Sequence, residues 1–96
     1  MTPDEFQAAF LDRLTDADII RAFVDEMDGV PLHGNFQDAT HWCVRVGRQR
    51  LPHRRLIAYA VLRRLGQQLD PNDFSGSIAT RIKWWLGEQG FDTPDL

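Results

Sequence analysis

Between Arg45 and Arg55 the chain sets Arg45, Arg48, Arg50, His53, Arg54 and Arg55 within eleven residues. Guanidinium groups at this density suit phosphate oxygens and guanine edges, because each presents a planar fork of donors. A second set lies at Asp73-Phe74-Ser75-Gly76-Ser77, just before an apolar-periodic stretch. Such a run serves either as ordinary helix capping or, with Gly76 admitting a close approach, as an oxyanion cradle at a helix N-terminus. Nucleophilic and metal chemistry find less support. His33, His41, Cys43 and His53 do not follow a zinc-ligand spacing, and no Walker-type glycine loop or helical HExxH occurs. With His53 as acid or base, a His/Arg set would suit ribonuclease chemistry, but nothing in the sequence forces a second histidine or a carboxylate beside it. No catalytic residue, metal or cofactor is assigned.

The arginine cluster is not a by-product of a basic composition. Residues 1–40 hold two basic and nine acidic side chains, a net −7, whereas residues 41–83 hold nine and two, a net +7. The last thirteen residues add −3, which gives the overall −3. Charge segregated in this way predicts one basic face turned to an anionic partner. Ninety-six residues with 43% hydrophobic content and three tryptophans predict a single folded domain spanning 1–96, with its core over about 3–91 and a tail at 92–96. One cysteine excludes an internal disulfide framework and fits a reducing compartment. No apolar run approaches a membrane span and no signal peptide opens the chain, so a cytoplasmic location is expected.

The elements that must carry these residues read as two helices, a hairpin and two helices, an α+β domain. Thr2-Pro3-Asp4-Glu5 offers a capping box, and Phe6, Phe10, Leu11 and Leu14 recur at helical spacing, which predicts a helix over 3–14. Thr15 and Asp18 repeat the signal, and Ile19, Ile20, Phe23, Val24 and Met27 mark a second helix ending at Gly29. Val30 to Ala39 is a loop anchored by Phe36. Alternation around Trp42, Val44 and Val46 then predicts a strand, with Gly47-Arg48 as the turn and Gln49–Leu51 as its return. Cys43 and Arg45 fall on the other side. A helix runs from Pro52 to Gly66, and Ser75 or Ser77 caps a last one carrying Ile78, Ile82, Trp85 and Leu86.

On this frame Arg45, Arg48 and Arg50 share a two-stranded ribbon of a kind that can enter a major groove. Charge on an edge hairpin also guards against aggregation, and that reading stands beside the first. Arg54 shares a stripe with Ile57, Ala58, Val61 and Leu65, so it is expected to face inward at a helix start. A cation there is disfavoured by the helix dipole unless an anion binds or an acidic helix pairs with it. Arg55, Tyr59 and Arg63 form a second, exposed stripe. Tyr59, Arg81 and Trp84 are candidate partner contacts, with Trp84 off its helix's apolar stripe.

Read in order, these pieces resemble a known pattern. Ile20-x-Ala22-x-x-x-Glu26-x-Asp28 is followed by Trp42-x-Val44-x-x-Gly47-x-x-Arg50; Arg54 leads into Leu56-Ile57-x-x-Ala60, and Phe74-Ser75-Gly76 precedes a helix ending Gly90-Phe91. Over residues 17–92 this resembles the N-terminal head domain of McrA-type modification-dependent restriction endonucleases, which is related to their DNA sulfur-binding domain. Leu51 stands where that family has an aromatic residue, Arg54 at its lysine position, and Ser77 in place of a second glycine. The resemblance implies a small DNA-reading module, usually joined to an HNH nuclease that these 96 residues do not contain. The expectation is therefore a non-catalytic module that binds DNA, with modified DNA included, as an excised domain or a free-standing sensor or blocker. The alternative is a protein-binding inhibitor or adaptor of a defence system, anti-CRISPR-like, using Trp84 or the acidic surface.

Overall fold

Thr2 and Glu5 close the expected capping box: Glu5 N–H donates to Thr2 Oγ1 at 3.1 Å and Thr2 N–H to Glu5 Oε1 at 2.9 Å. In the computed structural model, which describes residues 1–37 and 41–96, they start helix α1, Pro3–Ala9. The helix expected to reach residue 14 stops at Ala9, and a 3-10 turn over Leu11–Arg13 continues it. The apolar pattern explains the break. Phe6, Phe10, Leu11 and Leu14 are all buried, so the chain tightens to turn all four toward one core.

Helix α2 spans Asp16–Met27 and opens on the Thr15/Asp18 capping box. It ends where Gly29 takes φ 71°, with Val30 N–H donating to the carbonyl of Asp25. Ile19, Ala22 and Phe23 are buried, but Ile20 and Met27 of the expected stripe are exposed. Asp18 and Asp25 are buried in their stead, facing the arginines of the next helix. The loop expected over Val30–Ala39 is described as far as Gln37, with Phe36 set edge-on to Phe74 at 6.1 Å; Ala39 lies outside the described residues.

Strand β1, Val44–Val46, pairs antiparallel with β2, Gln49–Leu51, in the register Val44↔Leu51, Arg45↔Arg50 and Val46↔Gln49. The strand expected from His41 is regular only from Val44. His41 to Cys43 pair elsewhere, because residues 92–96 are not the free tail that was expected. Leu96 N–H donates to His41 O, Cys43 N–H to Pro94 O and Arg45 N–H to Asp92 O. The segment lies antiparallel along the outer edge of β1, with bridges Trp42↔Asp95 and Arg45↔Asp92. Cys43 is buried, so this strand does not keep the water-facing side that simple alternation gave it.

Helix α3, His53–Leu65, crosses the centre of the molecule. His53 and every residue from Leu56 to Val61 are buried, more of its circumference than a single amphipathic face allows. Gly66 ends it in the left-handed region at φ 68°. A 3-10 turn over Pro71–Asp73 leads to helix α4, Gly76–Glu88, which buries Ile78, Ile82, Trp85 and Leu86 as its stripe predicts. Each of these apolar side chains contributes roughly 1.5–3 kcal/mol by leaving water. Among the described residues, four helices around a small antiparallel hairpin make one α+β domain with a radius of gyration of 12.0 Å. No helix among the described residues is long and apolar enough to cross a membrane.

Candidate nucleic-acid interface

The hairpin turn sets the first part of the site. Gly47 takes φ 61° and Arg48 keeps a negative φ, the pattern of a two-residue primed turn whose first position suits glycine. Arg48 is thereby carried on the tip, and Arg45, Arg48 and Arg50 are all exposed. Arg45 and Arg50 are direct cross-strand partners and share one side of the ribbon. Like charges so placed repel. Asp92 answers Arg45 by an ion pair, while Arg50 has no carboxylate partner among the described residues. Its repulsion is left for something else to relieve.

The chain then enters α3, and here the sequence reading needs correcting. Arg54, expected to face inward, is exposed, and its neighbour His53 takes the buried place at 9% exposure. A helix buried around most of its surface gives no single stripe from which the side of its first turn can be read. His53 stacks on Trp42 with ring centroids 4.1 Å apart and planes 8° from parallel. Neither of its ring nitrogens finds a hydrogen-bond partner among the described residues. Burial first, and the nearby Arg54 charge second, push its pKa down to about 4. His53 is therefore neutral at pH 7 and supports Trp42, rather than joining the arginines as a cation.

Pro52 stands at the N-cap of α3 and offers no side-chain acceptor to the first-turn N–H groups. Beside them a cleft of about 740 Å³ opens between this turn and α4. Trp42, Pro52, His53 and Arg54 line it from one element, Ala79, Thr80 and Lys83 from the other, with Phe36 and the amides of Asn35, Gln37 and Asn72. The Lys83 ammonium lies 5.5 Å from the centre of the Trp42 ring and 3.0 Å from Asp95 Oδ1. Trp42 was read from sequence as a core strand residue, and Lys83 was not singled out. Its position three residues after Thr80 on α4 was the available signal.

The Ser75–Ser77 run acts mainly as a cap. Ser75 Oγ accepts from Ile78 N–H at 3.4 Å and lies 3.2 Å from Ser77 Oγ. Gly76 lines the cleft, but a Cβ there would meet nothing within 4 Å, so no close approach depends on it. Both serines remain exposed.

Of Arg55, Tyr59 and Arg63, expected as an exposed stripe, Arg63 is exposed, while Arg55 is half-buried and Tyr59 buried, and all three face α2 or the loop after it. Arg55 pairs with Glu26, and Tyr59, only 4% exposed, donates to the Val30 carbonyl at 2.7 Å. Arg63 lies 3.5 Å from Asp25 and Arg64 3.9 Å from Asp18. The acidic helix thus absorbs these cations, and Tyr59 is too buried for the partner contact assigned to it. Arg81 is held by Asp4 at 2.7 Å and Gln7 at 2.9 Å, beneath the half-exposed Trp84. Among the described residues Arg48, Arg50 and Arg54 have no ion-pair partner; they lie on the hairpin turn, on β2 and in the first turn of α3. Arg13 and Arg21 also lack one there, but they belong to the acidic half.

Among the described residues no cluster of His, Cys, Asp or Glu is grouped as a metal ion requires. No family model, curated protein or solved structure matches this chain.

Proposed function

We propose that the protein is a non-catalytic DNA-binding module that acts in a restriction or phage-defence setting. One observation carries the reading. Six of the nine cations in residues 41–83 meet carboxylates, while Arg48, Arg50 and Arg54, on successive elements, have no ion-pair partner among the described residues. Arg48 and Arg50 ride a ribbon that can lie along a groove, and Arg54 stands in the first turn of α3, whose Pro52 N-cap supplies no side-chain acceptor and where a phosphate is favoured. The acidic α1 and α2 repel a polyanion, which limits binding to one orientation. The setting rests on the residue pattern shared with the McrA-type head domain. Anisotropy titration of a duplex over a range of salt tests the reading. Absence of binding at low ionic strength, or binding with no salt slope, refutes it.

Trp84 favours a second reading, a small inhibitor or adaptor that binds a protein of a defence system, anti-CRISPR-like. At 53% exposure with Arg81 against its ring, it has the composition of an interface hot spot. A protein partner whose binding survives Arg48→Glu and Arg50→Glu but fails on Trp84→Ala would select it.

A further inference from the structure

The cleft differs in kind from the arginines beside it. Three bare cations suit a phosphate backbone. The cleft combines aromatic walls, carboxamides and two cations in a volume within the roughly 300–1,000 Å³ typical of small-ligand sites. From this mixture we infer that it receives one unpaired nucleobase, extruded from a DNA strand whose phosphates rest on Arg48, Arg50 and Arg54. The inference rests on the DNA-binding reading above.

A base inside a duplex offers only an edge in a groove, whereas an extruded base exposes both faces and its pairing edge. The lining can use both. Phe36, Trp42 and Pro52 give the cleft apolar surface that suits a flat heterocycle, and the Lys83 ammonium lies 5.5 Å from the Trp42 ring centre. Asn35, Gln37 and Asn72 each carry a donor and an acceptor suited to a pairing edge. Trp42 is fixed by its stack on His53, so the wall is set before the ligand arrives. His53 is neutral and adds no charge beneath a neutral base. Thr80 Oγ1 donates to the Gly76 carbonyl at 3.1 Å and keeps its acceptor lone pairs for the cleft. Arg54 lines the same cleft, so a phosphate on it adjoins a base held within.

The test compares a fully paired duplex with one carrying a single bulged 2-aminopurine, at physiological ionic strength. The wild-type protein is expected to bind the bulged duplex about tenfold tighter, since stacking is gained without breaking a pair. The 2-aminopurine emission should fall as the base stacks. Thr80→Trp and Asn72→Trp place a ring in the cleft from two different elements, and both positions are exposed, so the fold tolerates them. Each is expected to bring the ratio of the two affinities to about one. Equal wild-type affinities with unchanged emission overturn the inference and leave the DNA-binding reading standing, as does a preference that survives both tryptophans. No binding to either duplex overturns both.

Discussion

Titrating a DNA duplex over a range of salt counts the cations that meet phosphate. Nine basic side chains fall in residues 41–83. Were all nine engaged, the log–log slope of affinity on salt would be about −8, at roughly −0.9 per phosphate contact. Arg45, Arg55, Arg63, Arg64, Arg81 and Lys83 already hold carboxylates. A cation that must leave a carboxylate to reach a phosphate gains little by the exchange. Arg48, Arg50 and Arg54 remain, and three contacts give a slope of about −2.7. That corresponds to an affinity loss of about fortyfold between roughly 50 and 200 mM salt. Arg48→Ala should bring the slope to about −1.8 without changing the thermal midpoint, because its side chain touches no partner among the described residues. Fluorescence anisotropy with an end-labelled duplex reads both numbers. A slope near −8, or one that Arg48→Ala leaves unmoved, refutes the reasoning.

Asp92→Asn should release Arg45 while keeping the backbone bond from Arg45 N–H, steepening the salt slope by about 0.9; an unchanged slope would show that Arg45 is not in reach of DNA. His53 has a pKa of about 4 in the fold against the ordinary histidine value of 6.5, so its neutral form is the one the fold prefers. Its stability contribution is present above pH 6.5 and is lost as pH falls toward 4, roughly 2 kcal/mol of it between pH 7 and pH 5. Urea unfolding at those two pH values should show that loss, and His53→Phe, which keeps a ring on Trp42, should flatten it. Glu26→Ala leaves the part-buried Arg55 unpaired and should cost roughly 1–3 kcal/mol in the same assay. Gly47→Ala forces a Cβ to adopt φ 61° and should cost about 1 kcal/mol while disturbing the tip that carries Arg48.

What could be read from the sequence were the features that local chemistry decides. Thr2 with Glu5, Thr15 with Asp18, and Ser75 before Ile78 are side chains reaching their own backbone within three residues, so spacing alone locates them. The turn at Gly47-Arg48 and its register are equally local. The parts that were misread depend on distant neighbours. Asp92 and Asp95 look like a polar tail until the strand at 41–45 is there to pair with them. Arg54 and His53 exchange places because α3 is enclosed by several elements, and periodicity cannot say which side of its first turn stays open. Tyr59 and Arg55 looked exposed because the acidic face that receives them lies 29 residues away. The candidate cleft shares this difficulty, since Phe36, Trp42, Asn72 and Lys83 come from four separate stretches of chain.

The strap formed by residues 92–96 bears on how the molecule assembles. The hairpin and its turn close over a handful of residues and can form within microseconds. The bond between Arg45 and Asp92 spans 47 residues, so loop entropy must be overcome before it contributes. During synthesis β1 therefore waits with one edge bare until residues 92–96 emerge. A chain halted before Asp92 would present that bare strand edge, with Trp42 beside it, to any other chain able to pair. Closure of the strap hides that edge only once all four helices have been synthesised.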